Sequence, residues 1–366
     1  MSLTEQSARG AGTDKQPRRT PQRKITVRFW LGIILTGAAV AVAFWPRRGL
    51  LARWRAARAL AKRCQQEDAL KHILKEQVNG REPTLESVTG ALEITHQAAA
   101  GLLAELENGG LITFASGSLR LRERGRELAL HIIRAHRLWE SYLAEQTGVE
   151  EAEWHVQAEY QEHLLSQREA DRLAALLGHP ARDPHGDVIP GTGEDLPAER
   201  GASLNTLAVN VPALITHVED EPAPLYAYLA AEGLRPGVRV CISEKTALHV
   251  RFWGDGREHQ LSPLQADSIT VTPLPAVRPE SLKEEMFLCN LAPGQRGRVL
   301  ALSPACRGLE RRRLLDLGFV PGTEVSVEMV SPGGDPTAYR LRGTVVALRR
   351  QQAGLIRVQP MEARSP

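Results

Sequence analysis

The sequence predicts a multidomain α+β chain that consists of a transmembrane helix, a winged helix-turn-helix, a helical domain and two small β-barrels. Three observations support this fold class. An uncharged apolar stretch lies near the amino terminus, helical periodicity dominates the next part of the chain, and an internal repeat begins near residue 200. The composition, with 42% apolar but only 5% aromatic residues, fits several small domains better than one large core.

The amino-terminal part combines two basic segments with an apolar stretch between them. Residues 1–28 have the composition of a disordered basic tail. Residues 29–45 (FWLGIILTGAAVAVAFW) form an uncharged stretch close to the lower limit of about 17 residues for a transmembrane helix. Residues 46–63 predict a basic juxtamembrane helix on anionic headgroups, or alternatively an arm on DNA phosphates. A cleavable signal peptide is the rival interpretation, because Ala41-Val42-Ala43 resembles a cleavage site.

These features predict a single-pass protein of the inner (cytoplasmic) membrane, anchored through residues 29–45, with its soluble domains in the cytoplasm. The basic residues on the two sides of the stretch are equal in number, so charge alone does not set the orientation. The four cysteines show no CxxC pairing and no disulfide spacing. They favour a reducing compartment and argue against a zinc ribbon or an iron-sulfur site.

Residues 64–128 have the pattern of a winged helix. Asn79-Gly80 breaks the first helical stretch, and Thr84 is a suitable N-cap for the second. Alternating apolar residues around a Ser-Gly turn follow the third helix and predict a two-stranded wing. The predicted elements are, in order, the helices Gln66 to Glu76, Leu85 to Leu92 and His96 to Asn108, and the wing Leu111 to Leu121.

Two helical stretches carry potential metal ligands. The offsets 0, 4, 7 and 8 place four of them on one helical face: His155, Glu159, Glu162 and His163. His136 and Glu140 form a second pair with i, i+4 spacing. Imidazole and carboxylate donors without a nearby thiolate suit Mn²⁺, Fe²⁺ or Zn²⁺ better than copper. A solvated helix side is the alternative, and an inverted-zincin protease is a third interpretation that needs a His in place of Glu159.

Three segments resemble, in order and spacing, the metal-binding and dimerisation domain of the DtxR/MntR family of metal-dependent bacterial repressors. They are IIRAHRLWESYLAEQTG (Ile132 to Gly148), HVQAEYQEHLLSQ (His155 to Gln167) and DPHGDVIPG (Asp183 to Gly191). The resemblance implies a winged-helix DNA-binding domain at 64–128 and a helical dimerisation domain at 129–192.

The same resemblance implies two regulatory metal sites for Mn²⁺ or Fe²⁺. The primary site would comprise Asp68, Glu159, Glu162 and His163, and the ancillary site would comprise His136, Glu140 and His155. Asp68 and Glu159 match the manganese-responsive members. Lys71 departs from the pattern, because it stands where those members have a further carboxylate. A cation there cannot ligate and repels a second ion, so a single-metal site is expected.

The resemblance also implies contacts with operator DNA. Thr95, His96 and Gln97 lie at the start of the recognition helix, Arg120 lies in the wing and Arg122 directly follows it. A solvated wing face is the alternative for the arginines. Between Cys64 and Arg126, nine acidic residues outnumber seven basic ones, which is a weak electrostatic footprint for DNA.

The carboxy-terminal part contains a repeat with a shift of 85 positions. EGLRPGVRV (Glu232 to Val240) aligns with LGFVPGTEV (Leu317 to Val325). The second copy, residues 285–360, resembles FeoA domains, which are SH3-like barrels, and the first copy, residues 200–275, resembles a diverged member. In related repressors the first barrel lends ligands to the ancillary site. His217 and Asp220 lie near the matching segment, although surface positions are expected for both.

These features predict a membrane-anchored, metal-dependent transcriptional regulator. It would bind operator DNA as a homodimer, with metal as corepressor. The alternative is a membrane-tethered metal sensor that regulates a metal transporter by protein contact, without sequence-specific DNA binding. No enzyme is expected, because the sequence shows no nucleophile with a paired base, no phosphate-binding glycine loop and no HExxH motif.

Overall fold

A computed structural model describes residues 49–115, 118–197, 201–274 and 286–361, together with the single positions 30, 31, 33 and 35. The chain divides into two units, residues 1–64 and residues 65–366. All the side chains of the candidate site belong to the second unit.

The predicted membrane localisation has to be corrected. The residues that would form the anchor, 29–45, lie almost wholly outside the described residues, as does the predicted tail at 1–28. Among the residues that are described, no helix is both long enough and apolar enough to cross a bilayer. The first described helix, α1 (Leu50–Val78), carries charged side chains along its length, whereas a span needs about 20 mostly apolar residues. This finding contradicts a single-pass protein of the inner membrane.

The first domain of the second unit has the order of a winged helix. After α1 come α2 (Leu85–Ala91) and α3 (His96–Asn108), and then a hairpin of β1 (Ile112–Ala115) and β2 (Ser118–Leu121). Thr84 and Ser87 form a capping box at the start of α2, and Thr95 caps α3 by accepting from the Ala98 amide. Apolar side chains of α1 and α3, such as Leu70 and Leu106, are buried in the core.

A helical domain follows, built on the long helix α4 (Glu123–Gln146). A 3₁₀ turn at Glu151–Glu153 leads into α5 (Trp154–Glu162), and α6 (Gln167–Leu176) begins at a capping box between Ser166 and Glu169. Both short helices pack against α4. Polar side chains lie among the buried residues of α4, which is costly unless they have partners. They are His136, Arg137, Glu140 and Ser141.

Two six-stranded antiparallel sheets complete the described chain. They occupy the two segments that the sequence predicts as β-barrels, and we call them the first and the second barrel. The first contains β3 (Ala202–Ser203), β4 (Pro212–Val218), α7 (Ala223–Ala231), β5 (Arg239–Lys245), β6 (Val250–Gly254), β7 (Arg257–Leu261), α8 (Pro263–Asp267) and β8 (Ile269–Pro273). The second contains β9 (Met286–Phe287), β10 (Arg296–Leu302), α9 (Gly308–Asp316), β11 (Glu324–Val330), β12 (Thr337–Leu341), β13 (Thr344–Leu348), α10 (Arg350–Ala353) and β14 (Ile356–Met361).

The two barrels have the same topology. The strand order is β3-β8-β4-β5-β6-β7 in the first and β9-β14-β10-β11-β12-β13 in the second. In each, a helix follows the first long strand and precedes a Pro-Gly turn, Pro236-Gly237 or Pro321-Gly322. The sequence repeat therefore corresponds to a structural repeat, and the mixed helix-and-sheet fold is confirmed.

Candidate metal centre

The helical domain presents two imidazoles and one carboxylate to a common point. His136 and Glu140 lie one turn apart on α4, and their Nε2 and Oε1 atoms are 3.1 Å apart. His155 projects from the first turn of α5, with its Nδ1 3.4 Å from the same Glu140 oxygen. The packing of α5 on α4 is what brings these three residues together.

The first barrel contributes a fourth donor. Asp220 lies in the loop after β4, and its Oδ2 is 2.9 Å from His155 Nδ1. This barrel is fixed to the helical domain through Glu151, whose carboxylate accepts from the Tyr226 hydroxyl and the Arg235 guanidinium, each at 2.5 Å. One donor atom from each member of the cluster lies within 4.8 Å of all the others. We call this group the four-donor cluster: His136, Glu140, His155 and Asp220.

The environment of His155 fits a divalent ion. Both of its ring nitrogens are shielded from solvent, yet neither makes a hydrogen bond of good geometry within the described part of the chain. Carboxylate oxygens nevertheless lie 2.9–3.5 Å away. Buried polar atoms without partners are rare and need a physical explanation. Two imidazoles and two carboxylates form a donor set that suits Mn²⁺, Fe²⁺ or Zn²⁺.

The electrostatics of the cluster favour a bound cation. Burial lowers the pKa of the His155 imidazole, but the adjacent carboxylates of Asp220, Glu140 and Glu159 outweigh burial and raise it. Burial raises the pKa of Asp220, yet the adjacent imidazoles of His155 and His185 lower it to about 2. The carboxylates are therefore ionised at neutral pH, and a metal ion has to displace protons from the imidazoles.

The predicted primary site is only partly assembled. Asp68, Glu162 and His163 each place one donor atom within 4.8 Å of the other two, and His163 Nε2 lies 3.2 Å from Asp68 Oδ1. Glu159 does not join them. It is exposed and lies beside His155, with its Oε1 3.5 Å from Nε2, because the two side chains are one turn apart on α5.

Lys71 lies inside this region. Its Nζ is 2.8 Å and 2.9 Å from the two carboxylate oxygens of Glu162. Glu162 Oε2 is also 2.5 Å from His136 Nδ1. Burial raises the pKa of the Glu162 carboxyl, but the hydrogen bond from His136 and the charge of Lys71 outweigh burial and lower it to about 2.

Three site residues were not among the predicted ligands. Asp220 reaches the four-donor cluster, whereas the neighbouring His217 lies 3.2 Å from Asp187 instead. His185 is buried, and its Nδ1 is 3.3 Å from Glu140 Oε2. Glu67 Oε2 is 2.7 Å from His163 Nδ1. The DPHG motif was a visible signal for His185, but no local pattern marks Glu67 as a partner.

The predicted DNA contacts lie on one domain and are all exposed. Thr95 is exposed although its hydroxyl caps α3, at 3.3 Å from the Ala98 amide, and His96 and Gln97 are exposed beside it. Arg120 on β2 and Arg122 before α4 are exposed as well. The exposed face of α3 carries no Lys or Arg.

Two regions of the chain match known domain families. Residues 122–191 match the family described as "Iron dependent repressor, metal binding and dimerisation domain". Residues 286–360 match the FeoA domain. The chain combines a DtxR/IdeR-type repressor domain with a FeoA domain.

Individual relatives agree with this assignment. The iron-dependent repressor IdeR of Mycobacterium leprae is 28% identical over 208 residues, which are 53% of this chain and 90% of the repressor. The diphtheria toxin repressor of Corynebacterium diphtheriae is 32% identical over 126 residues, which are 34% of this chain and 56% of that protein. A manganese-dependent transcriptional repressor in complex with manganese is similar in structure, with a TM-score of 0.53 at 27% identity. The match covers 57% of this chain and 100% of that chain. The DtxR/IdeR-type domain belongs to a family of repressors, which confirms the prediction that the chain is not an enzyme.

Proposed function

We propose that this DtxR/IdeR-type chain is a metal-dependent transcriptional regulator that binds Mn²⁺ or Fe²⁺ at the four-donor cluster and binds operator DNA as a homodimer. The cluster itself is the observation that carries the proposal. Four donors from two helices and a barrel loop converge on one point, and both nitrogens of His155 are buried without a well-formed hydrogen bond in the described chain.

The donors connect elements that are distant in the sequence. His136 and Glu140 belong to α4, His155 to α5 and Asp220 to the first barrel. A bound ion supplies a divalent positive charge that offsets the repulsion between the two carboxylates. The four side chains then hold α4, α5 and the barrel in one arrangement. If operator DNA binds this arrangement more tightly than the metal-free one, DNA binding depends on metal.

An apolar stripe on α5 supports the homodimer. Val156 and Tyr160 are 64% and 66% exposed, and Leu164 beyond the helix end is 44% exposed. The spacing of four residues places Val156 and Tyr160 on one face of α5. Exposed apolar groups with helical spacing are typical of a surface that is covered by a partner. A second copy of the chain covers this stripe in the proposed dimer.

The winged helix provides the proposed DNA contacts. His96 and Gln97 are accessible at the start of α3 and would meet base edges, whereas Arg120 and Arg122 would contact phosphates.

A second candidate function is favoured by the absence of basic residues on the exposed face of α3. In this case the chain senses metal and acts by protein contact on a metal transporter, with the winged helix as a scaffold. The metal site is common to both candidates, and sequence-specific DNA binding distinguishes them.

The test is a fluorescence-anisotropy titration of the full chain. One labelled duplex comes from the region upstream of its own gene, and an unrelated duplex serves as reference. Both are measured with and without Mn²⁺ or Fe²⁺ at about 0.15 M salt, because phosphate contacts depend on ionic strength. Glu140→Ala removes a cluster ligand, and Glu219→Ala removes an exposed carboxylate outside the cluster as the control.

A metal-dependent preference for the upstream duplex is expected, lost in Glu140→Ala and kept in Glu219→Ala. Equal binding to both duplexes, with calorimetry still showing metal bound by the wild type, would reject the repressor function and leave the second candidate. Failure of the wild type to bind either metal would reject both.

A further inference from the structure

We propose that the Lys71 ammonium is a built-in cation that replaces a metal ion between α1 and α5, and that Glu162 orients His136 instead of ligating metal. The proposal rests on the proposed function in one respect, since it takes the four-donor cluster as the regulatory metal site. It contradicts the expectation that Glu162 belongs to a primary metal site.

Lys71 and Glu162 form a close ion pair. Lys71 Nζ lies 2.8 Å and 2.9 Å from Glu162 Oε1 and Oε2, so a single ammonium contacts both oxygens. The side chain of Lys71 is 15% exposed and that of Glu162 is 1% exposed. A buried carboxylate requires a compensating positive charge, and here the ammonium of Lys71 provides it in place of a metal ion. The pair connects α1 of the winged helix to α5 of the helical domain.

His136 lies between two carboxylates, one at each ring nitrogen. Its Nδ1 is 2.5 Å from Glu162 Oε2, and its Nε2 faces Glu140 at 3.1 Å. When Nδ1–H donates to Glu162, Nε2 is left with its lone pair for a metal ion. Histidine ligands commonly donate their other ring N–H to a carboxylate, which fixes the tautomer and the orientation of the ring. Glu162 has the position of such an outer-sphere partner.

The group around Asp68 has few donors left for a metal ion. With Glu162 engaged by Lys71 and His136, only Asp68 and His163 remain of the three-residue group. The Asp68 side chain is 40% exposed. A cation bound there would also face the Lys71 ammonium, and like charges repel strongly where water is excluded. These residues do not fit a metal ion while Lys71 is present.

Two consequences follow for regulation. The winged helix is tied to the dimerisation helices even without metal, through a pair that joins residues 91 positions apart. Metal dependence then comes from the four-donor cluster alone, with one ion per chain.

The first experiment compares the full chain with Lys71→Met and with Lys75→Met. Lys75 is the matched control because it lies one turn further along α1 and is exposed. The number of Mn²⁺ ions per chain is measured by equilibrium dialysis with elemental analysis, and metal-free stability is measured by calorimetry. We expect one ion per chain for the wild type and the control. For Lys71→Met we expect a second ion per chain and a metal-free Tm lower by roughly 5–10 °C, because a buried carboxylate loses its partner.

The second experiment keeps Lys71 and removes candidate ligands instead. Asp68→Asn should leave both the stoichiometry and the Kd for Mn²⁺ unchanged, whereas His155→Ala should abolish binding. Glu162→Gln should weaken binding by about 10–100-fold without changing the stoichiometry, as expected for an outer-sphere partner. These variants do not depend on the folding of Lys71→Met.

The outcomes separate this inference from the proposed function. Two ions per wild-type chain, or a loss of one ion in Asp68→Asn, would overturn the role of Lys71 while leaving a metal-dependent regulator intact. Unchanged binding in His155→Ala would instead overturn the four-donor cluster. If the wild type binds no Mn²⁺, a first ion gained by Lys71→Met would still support the built-in cation, and no gain would reject it.

Discussion

Asp220 Oδ2 lies 2.9 Å from His155 Nδ1, so a carboxylate of the first barrel completes a cluster that helices α4 and α5 leave open on one side. In the proposed metal site, the barrel therefore supplies one of the four ligands. The Glu151 carboxylate, held by Tyr226 and Arg235, keeps the barrel in the required position.

Loss of the barrel ligand should weaken metal binding. Asp220→Ala removes one of four donors, and we expect the Kd for Mn²⁺ to rise at least about tenfold, since even outer-sphere partners contribute that much. Titration calorimetry of the full chain measures this change. Glu219→Ala removes the adjacent carboxylate, which is 52% exposed, and should leave the Kd unchanged. Equal effects of both substitutions would contradict a specific role of Asp220.

The metal-free protein should lose stability as the pH rises from 6.5 to 9. Burial lowers the pKa of His163, but hydrogen bonds to Asp68 and Glu67 outweigh burial and raise it from 6.5 to about 9. Because the folded-state pKa is above the unfolded value, protonated His163 contributes fully to the free energy of unfolding below pH 6.5. This stabilisation is lost as the pH rises through 9.

The pH effect is tested by the Tm in the presence of a chelator. His163→Gln cannot lose this proton, so its Tm should fall less than that of the wild type across this interval. Parallel pH profiles for the two proteins would show that His163 does not contribute.

The FeoA domain should depend on a glycine at its contact with α4. Gly308 has φ +54°, and a Cβ there would lie 2.6 Å from the backbone oxygen of Ala144. Gly322 has φ +86° but no atom within 4 Å of its Cβ position. Gly322→Ala therefore isolates the backbone strain, about 1–2 kcal/mol.

Gly308→Ala should cost more than Gly322→Ala in the free energy of unfolding, because it adds the clash with α4 to the same strain. Calorimetric unfolding of the two variants provides the comparison. If both substitutions cost the same, the contact between the FeoA domain and α4 does not contribute to stability.

The wing arginines should affect DNA binding without affecting its sequence preference. Arg120→Ala and Arg122→Ala each remove one exposed charge. In a plot of log binding constant against log salt concentration, the slope should become less steep by about one unit for each phosphate contact that is lost. Arg126→Ala is the control, because Arg126 is already paired with Asp195 at 2.8 Å. Anisotropy titrations at several salt concentrations give the slopes. A change in sequence preference would show that these arginines contact bases.

Local patterns in the sequence were sufficient for much of the fold. Thr84 marked the start of α2 because capping depends on neighbouring residues alone. The repeat around the two Pro-Gly turns indicated two barrels, since the same turn chemistry recurs at the same point of each sheet. Residues 29–45 are long and apolar enough to predict a transmembrane helix, but none of the described helices is long and apolar enough to cross a membrane.

The sequence by itself also determined the type of metal chemistry. His136 with Glu140, and His155 with its neighbours on α5, have spacings that place donors on one helical face regardless of the rest of the chain. Only the tertiary structure decided which donors meet. Asp220 joins them because the barrel docks at Glu151, Glu159 is left at the surface, and Glu162 pairs with Lys71 from 91 positions away. Periodicity reports which residues share a face, whereas the distance between two faces depends on packing between segments that are far apart in the chain.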